Sequence, residues 1–231
     1  MTVPVPEVRH SVHAVVTAAP LEPAETVPVP LPTVALLRRF GADAAQLAAF
    51  EARPHARVLH RSGSVADAQA DAVAARLEAL TLAAQHDGLV VDLAVPRLVT
   101  HTVDETDPRA PRQWVALDVA DIQATGFDVV SHGLATFGLP ELRCADVSFA
   151  ALPATLAMLN GLTHRLLAEW PEHDPVGPAT VTLADVAEAL GEPVPARDPA
   201  ATGGYGVEVE IALTGDELLV TVHGDVVALF T

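Results

Sequence analysis

Residues 131–144, SHGLATFGLPELRC, gather a histidine, two glycines, a proline, a carboxylate and the chain's only cysteine into fourteen positions. Cys144 and His132 are the residue types of a thiolate nucleophile and its base, a chemistry that needs the two groups within about 3 Å of each other. The competing reading is structural. Gly133 and Gly138 bound a turn, His132 stands at a strand end, and Cys144 packs as a small hydrophobe on a neighbouring strand. The pattern favours the turn. A second stretch, HTVDETD, brings His101, Asp104, Glu105 and Asp107 together, hard oxygen donors with one imidazole that could hold a divalent cation. It has neither the spacing of a calcium loop nor that of an H-E-x-x-H helix, so a solvated acidic loop is the simpler expectation.

The remaining chemistry-bearing residues are scattered. His86-Asp87, His173-Asp174 and His223-Gly224-Asp225 are histidine and acid neighbours in turn-like sequence, and ten histidines among thirty acids make such adjacency expected by chance. TGGYG, residues 202–206, is glycine-rich but leads into a strand pattern, whereas a phosphate cradle needs the amides of a helix N-terminus. No G-x-S-x-G elbow is present. All thirteen basic residues are arginine. Without a lysine, Schiff-base enzymes, Walker-type phosphate loops and protein kinases are excluded. No cofactor is expected.

The elements that must position these residues follow from periodicity and punctuation. EVRHSVHAVVTA reads as a first strand. PLEPAETVPVPLP, residues 20–32, carries five prolines in thirteen positions and reads as an extended strap. TVALLRRFGADAAQLAAFEAR is a helix broken near Gly41, with Asp43 capping its second piece. HARVLHRSG is a short strand. Ser64 and Asp67 have capping-box spacing before a long helix whose Val73, Leu77, Leu80 and Ala84 share one face and which stops near Gly88. GLVVDLAVPRLV reads as one strand covered on both faces. WVALDVADI, FDVVSHG and LPELRC are further strands. The second long helix begins at Pro153, with Leu152, Leu156, Leu159, Leu166 and Trp170 on one face. TLADVAEALG is a short helix capped by Thr182 and closed by Gly191. The end is a hairpin over TGD, with Val207, Val209 and Ile211 facing a core and Glu208 and Glu210 facing water.

These patterns predict one α+β domain spanning residues 1–231: a mixed or antiparallel sheet of about six or seven strands, two long helices, and one or two short ones. Half the residues are hydrophobic, ample for a core. The formal charge of −17 opposes a nucleic-acid backbone, and no arginine stripe is present. One cysteine implies no disulfide framework. No segment reaches the ~18 apolar residues of a membrane span, and MTVPVPEVRH lacks the basic start of a secretory leader. The expectation is a cytoplasmic protein, from a high-GC bacterium given the arginine and alanine usage.

HGLATFGLPEL, preceded by a tryptophan strand and followed by a leucine-rich helix, resembles a segment recurring in bacterial domains of unknown function. DAVAARLEAL...HDGLVVDLAVPRLV upstream is similar to the helix and strand of the same proteins. The resemblance spans roughly residues 60–170. It implies a recurring single-domain module and brings no activity or catalytic residues. The functional expectation is a non-enzymatic, acidic protein-interaction module, immunity-like or accessory-like, taking a basic protein partner. Two alternatives stay open: a metal-dependent or histidine/acid hydrolase, and a small-ligand binder with a pocket between helices and sheet.

Overall fold

The computed structural model describes residues 2–22, 30–107, 110–120, 126–193 and 206–230. The chain forms two compact units. One comprises Pro6–Pro108 with Ala135–Gly138, the other Met1–Val5, Arg109–Leu134 and Leu139–Thr231. The fold class is α+β, with antiparallel and mixed sheets.

In the first unit, β1 (Arg9–Thr17), β2 (His55–Gly63), β3 (Leu89–Asp92) and β4 (Arg97–Val99) form an antiparallel sheet in the order β2-β1-β3-β4. Alternation along β1 sends its side chains to opposite faces. Ala14 and Val16 join Val91 and Leu98 under α1 (Val34–Arg39) and α2 (Ala44–Glu51). Val15 joins Val90 under α3 (Ala68–Gln85). Gly41 lies between α1 and α2 with φ 96°, and Asp43 caps α2 in a full capping box with Gln46. The break follows from a positive φ that disfavours other residues, together with a reciprocal cap that starts the next helix.

Three expectations in this unit are corrected. The buried face of α3 is Ala68, Ala72, Ala75, Arg76, Ala79 and Ala83, while Val73, Leu77 and Leu80 are half-buried and Ala84 is exposed. Alanine brings the helix close to the sheet, so the larger residues flank the contact. Ser64 Oγ accepts from the Asp67 amide at 3.3 Å and donates to its carboxylate at 2.8 Å. This closes a turn before α3, which starts at Ala68 with no side-chain cap. Finally, GLVVDLAVPRLV is a hairpin, β3 and β4, because Asp92 Oδ1 accepts the amides of Ala94 and Val95 at 3.0 and 3.1 Å and turns the chain.

In the second unit, β5 (Ala116–Ala120), β6 (Phe127–His132), β7 (Glu141–Val147), β8 (Gly177–Thr182), β9 (Gly206–Thr214) and β10 (Glu217–His223) pair in the order β5-β6-β7-β10-β9-β8. Among the described residues, only β7 and β10 run parallel, over 141–143 and 217–219. Ten strands among the described residues exceed the expected six or seven, chiefly because β4 and β8 are not distinct in the sequence pattern. α4 (Leu152–Glu169) opens with Pro153 in its first turn and buries Met158, Leu159, Leu162 and Leu166. α5 (Leu183–Leu190) has the Thr182–Asp185 capping box and ends at Gly191 with φ 68°. The two helices approach closely at Gly161, where a Cβ would lie 2.9 Å from the Val186 amide nitrogen. Val207, Val209 and Ile211 are buried on β9 while Glu208 and Glu210 are exposed, as alternation predicts.

Most of the proline strap, residues 23–29, and residues 202–205 of TGGYG lie outside the described residues. Among the described residues, no helix is long and apolar enough to cross a membrane.

Candidate functional site

The 131–144 stretch is built as a clasp on a hairpin. β6 carries Ser131 and His132, β7 carries Glu141 and Cys144, and a 3-10 turn at Leu134–Phe137 joins them. The Glu141 carboxylate accepts the Gly133 amide at 2.8 Å, the Leu134 amide at 3.3 Å and the Ser131 hydroxyl at 2.5 Å. Ser131 Oγ in turn accepts the Leu142 amide at 2.7 Å. The acid thus meets donors at the hairpin end that would otherwise cost free energy in a buried setting.

The structure does not bring Cys144 and His132 together. Cys144 pairs with Val129, three residues from His132 along β6 or about 10 Å at strand spacing. Cys144 turns inward with Val129, buried, and its thiol is pushed up to about 11 by burial and by the charge of Asp128. His132 turns to the other face, its Nε2 3.6 Å from Asp118 Oδ2.

The acidic loop is likewise dispersed. Glu105 folds back on Thr102, accepting its amide at 2.7 Å and its hydroxyl at 3.0 Å, and these bonds lower its pKa. Asp104 and Asp107 are exposed. Among the described residues, no group of three or more His, Cys, Asp or Glu is arranged to hold a metal ion. His101 is half-buried and feels charges of both signs. Burial first, then Arg76 and Arg97, push its pKa down to about 4, partly offset by Glu105 and Asp92.

That histidine belongs to a polar seam in the first unit. β1 presents Arg9, Ser11 and His13 on the side facing α3, all at most 2 % exposed. Arg9 pairs with Asp71 of α3 and donates to Ser11 Oγ at 3.0 Å and the Ser64 carbonyl at 3.3 Å, while Arg61 adds a second contact to Asp71 at 3.1 Å. Gly63, paired opposite Arg9, leaves the room this requires, since a Cβ there would overlap the Asp71 carboxylate. Further along, ladder pairing sets His13 beside Asp92 and Asp92 beside Arg97. Arg76 reaches in from α3, with Nη2 2.5 Å from Asp92 Oδ2 and Nε donating to His13 Nε2 at 3.4 Å. Burial lowers Arg76 to about 10; Asp92 opposes the shift and Arg97 deepens it. Burial also lowers His13 and Arg97, each partly offset by Asp92.

Buried charges at this density are costly unless paired, and Asp92 meets Arg76 directly while Arg97 stands beside it on the ladder. The seam was missed because R-x-S-x-H along a strand reads as a solvent face. The signal that could have found it is the neighbouring run HAVVT, apolar on both faces and hence covered on both.

Two further features stand in the second unit. Where β7 and β10 separate beyond Arg143 and Leu219, a cleft of about 440 Å3 opens, lined by Cys144, Asp146, Ser148, Thr155, Thr221 and Val226 among others. On the outward face of the sheet, register sets Glu210 between Pro178 and Thr221, and Glu208 between Thr180 and His223. No protein-family model, curated protein or solved structure matches the chain.

Proposed function

We propose that the chain is a non-enzymatic, acidic interaction module that binds a basic protein through the outward face of β8, β9 and β10. The observation that carries this reading is the exposed pair Glu208 and Glu210, set among threonine, proline and histidine neighbours with no ion pair to another described residue. Unlike the paired acids Asp71, Asp92 and Asp128, these two have charge to offer a partner. The formal charge of −17 adds long-range attraction for a cation.

The test is association with poly-arginine and a panel of folded basic proteins at 50 and 200 mM salt. Affinity falls at least tenfold with added salt and falls again in Glu208→Lys/Glu210→Lys. The control Glu172→Lys/Glu192→Lys, reversing two exposed acids elsewhere in the same unit, has little effect. Equal effects from both double variants, or none from either, overturn the reading.

The β7–β10 cleft supports a second reading, a small-ligand site of partly apolar lining at the ends of adjacent parallel strands. Native mass spectrometry of untagged protein tests it: a stoichiometric organic adduct lost in Thr155→Leu supports the cleft, and a bare chain counts against it.

A further inference from the structure

We propose that His10 of β1 and His60 of β2, with Ser62 beside them, bind a divalent transition cation of the zinc class on the outer face of the first unit's sheet. The inference is independent of the partner reading above, because it concerns the other unit and a metal ion in place of a protein.

The ladder brings the two imidazoles together. His10 pairs with Ser62 and Val12 with His60, so His10 and His60 are diagonal neighbours, and alternation puts these side chains on one face. It is the face that carries Ala14 and Val16 toward α1 and α2 further along the strand. The same alternation sends Arg9 and Arg61 to the opposite side, where both meet Asp71. The nearest guanidinium groups on these strands are thereby turned away from the histidines. His10, His60 and Ser62 are all exposed, so an ion reaches them from water.

The spacing of the nitrogens is that of a chelating pair. Two imidazole nitrogens bound to one zinc at about 2.0–2.1 Å, with roughly 100–110° between the bonds, lie about 3.1–3.4 Å apart, and their ring centroids about 4.8–5.3 Å apart. His60 Nε2 stands 3.1 Å from His10 Nδ1, and the centroids are 4.9 Å apart. The rings are thus closest at the two nitrogens and spread behind them. Ser62 Oγ lies 3.1 Å from the same Nδ1 and adds an oxygen to the group. In the neutral pair one ring donates to the other; moving that proton to the outer nitrogen of its ring frees both lone pairs, and no proton is released.

The donor set selects the ion. Imidazole suits zinc, copper and nickel, whereas calcium and magnesium take carboxylate and carbonyl oxygens. Among the described residues no third His, Cys, Asp or Glu completes a cluster here, so water fills the remaining positions and the site is open. The formal charge of −17 favours the approach of a cation.

The experiment titrates the untagged full chain, stripped of metal and held at pH 7, with zinc chloride in a calorimeter, and with magnesium chloride as the comparison. One saturable equivalent of zinc is expected. His10→Phe and His60→Phe keep a ring on an exposed strand position, and each weakens that binding at least about tenfold, since even groups behind the ligands are worth as much. The double variant loses the equivalent, with folding checked by circular dichroism, while His86→Ala/His223→Ala, which replaces two exposed histidines elsewhere, retains it. On the wild-type chain, histidine nitrogen spectra show His10 Nδ1 and His60 Nε2 shifting with zinc while the outer nitrogen of each ring stays protonated. No saturable equivalent, an equivalent retained in the His10/His60 double variant, or magnesium bound as tightly as zinc overturns the proposal.

Discussion

Replacing Arg76 with alanine removes a side chain that is hydrogen-bonded to both Asp92 and His13 across the seam. The Arg76 and Asp92 side chains are 1 % and 5 % exposed, so the variant leaves a buried carboxylate with its two amide bonds but without the guanidinium that meets its Oδ2. Breaking one partner of a buried pair costs about 3–5 kcal/mol, a large share of the roughly 5–15 kcal/mol that holds a domain folded. A second variant separates charge from packing: Arg76→Met with Asp92→Leu removes both ions and should cost less than the single change. Both tryptophans, Trp114 and Trp170, lie in the second unit, so their fluorescence reports that unit. Hydrogen exchange over residues 9–17 and 89–92 reports the first. The expected result is lost protection in those strands for Arg76→Ala, restored in large part by the double variant. A single-variant cost below about 1 kcal/mol, or a double variant as damaged as the sum, would refute the reasoning that the pair is buried and coupled.

Three further outcomes are expected. Burial keeps His13 and His101 neutral in the folded chain, whereas the unfolded chain protonates them below about 6.5; the unfolded state binds more protons from there to about 4, so stability falls as pH drops through that window, and His101→Gln flattens the fall in urea titrations. Gly161→Ala puts a methyl against the Val186 amide nitrogen and Cγ2 at 2.9 and 3.0 Å; separating α4 from α5 costs about 1–3 kcal/mol, read as a lower urea midpoint by tryptophan fluorescence. Cys144, buried and with its thiol raised to about 11, resists maleimide at pH 7 until denaturant is added, when one equivalent reacts; rapid labelling of the native chain contradicts its placement.

What was legible in the sequence was local. Asp43, Thr182 and Gly191 act within a few residues of themselves, and each caps or closes the helix it was expected to. The alternation over 206–214 identifies a half-buried strand because its polar residues face outward. The same rule fails at β1, where Arg9, Ser11 and His13 are polar and inward, and only the covering helix reveals it. It fails again at α3, since a face of alanines with one arginine carries little hydrophobic signal beside the leucines that flank it. Neither failure is one of propensity. Both arise because a partner across the fold, Asp92 for Arg76 and Asp71 for Arg9, lies 16 and 62 residues away. His132 and Cys144 were read correctly as types capable of chemistry, but a two-residue alternation places them on opposite faces of the sheet.

The inward arginines also change how the charge of the chain acts. Arg9 and Arg76 are buried in the first unit, so their positive charge is withdrawn from the surface and confronts the interior. Their partners Asp71 and Asp92 are drawn in with them, so each pair cancels locally, leaving buried pairs on one side and exposed acids on the other. These two fields respond differently to salt. Attraction between the exposed carboxylates of Glu208 and Glu210 and a basic protein is screened within about 10 Å at 0.1 M salt. The seam's charges, shielded from solvent, are screened much less. Raising salt with chloride therefore weakens the proposed partner interaction while leaving the buried Arg9–Asp71 and Arg76–Asp92 pairs largely in place. One titration separates the two, with surface association lost first and hydrogen-exchange protection over residues 9–17 and 89–92 retained.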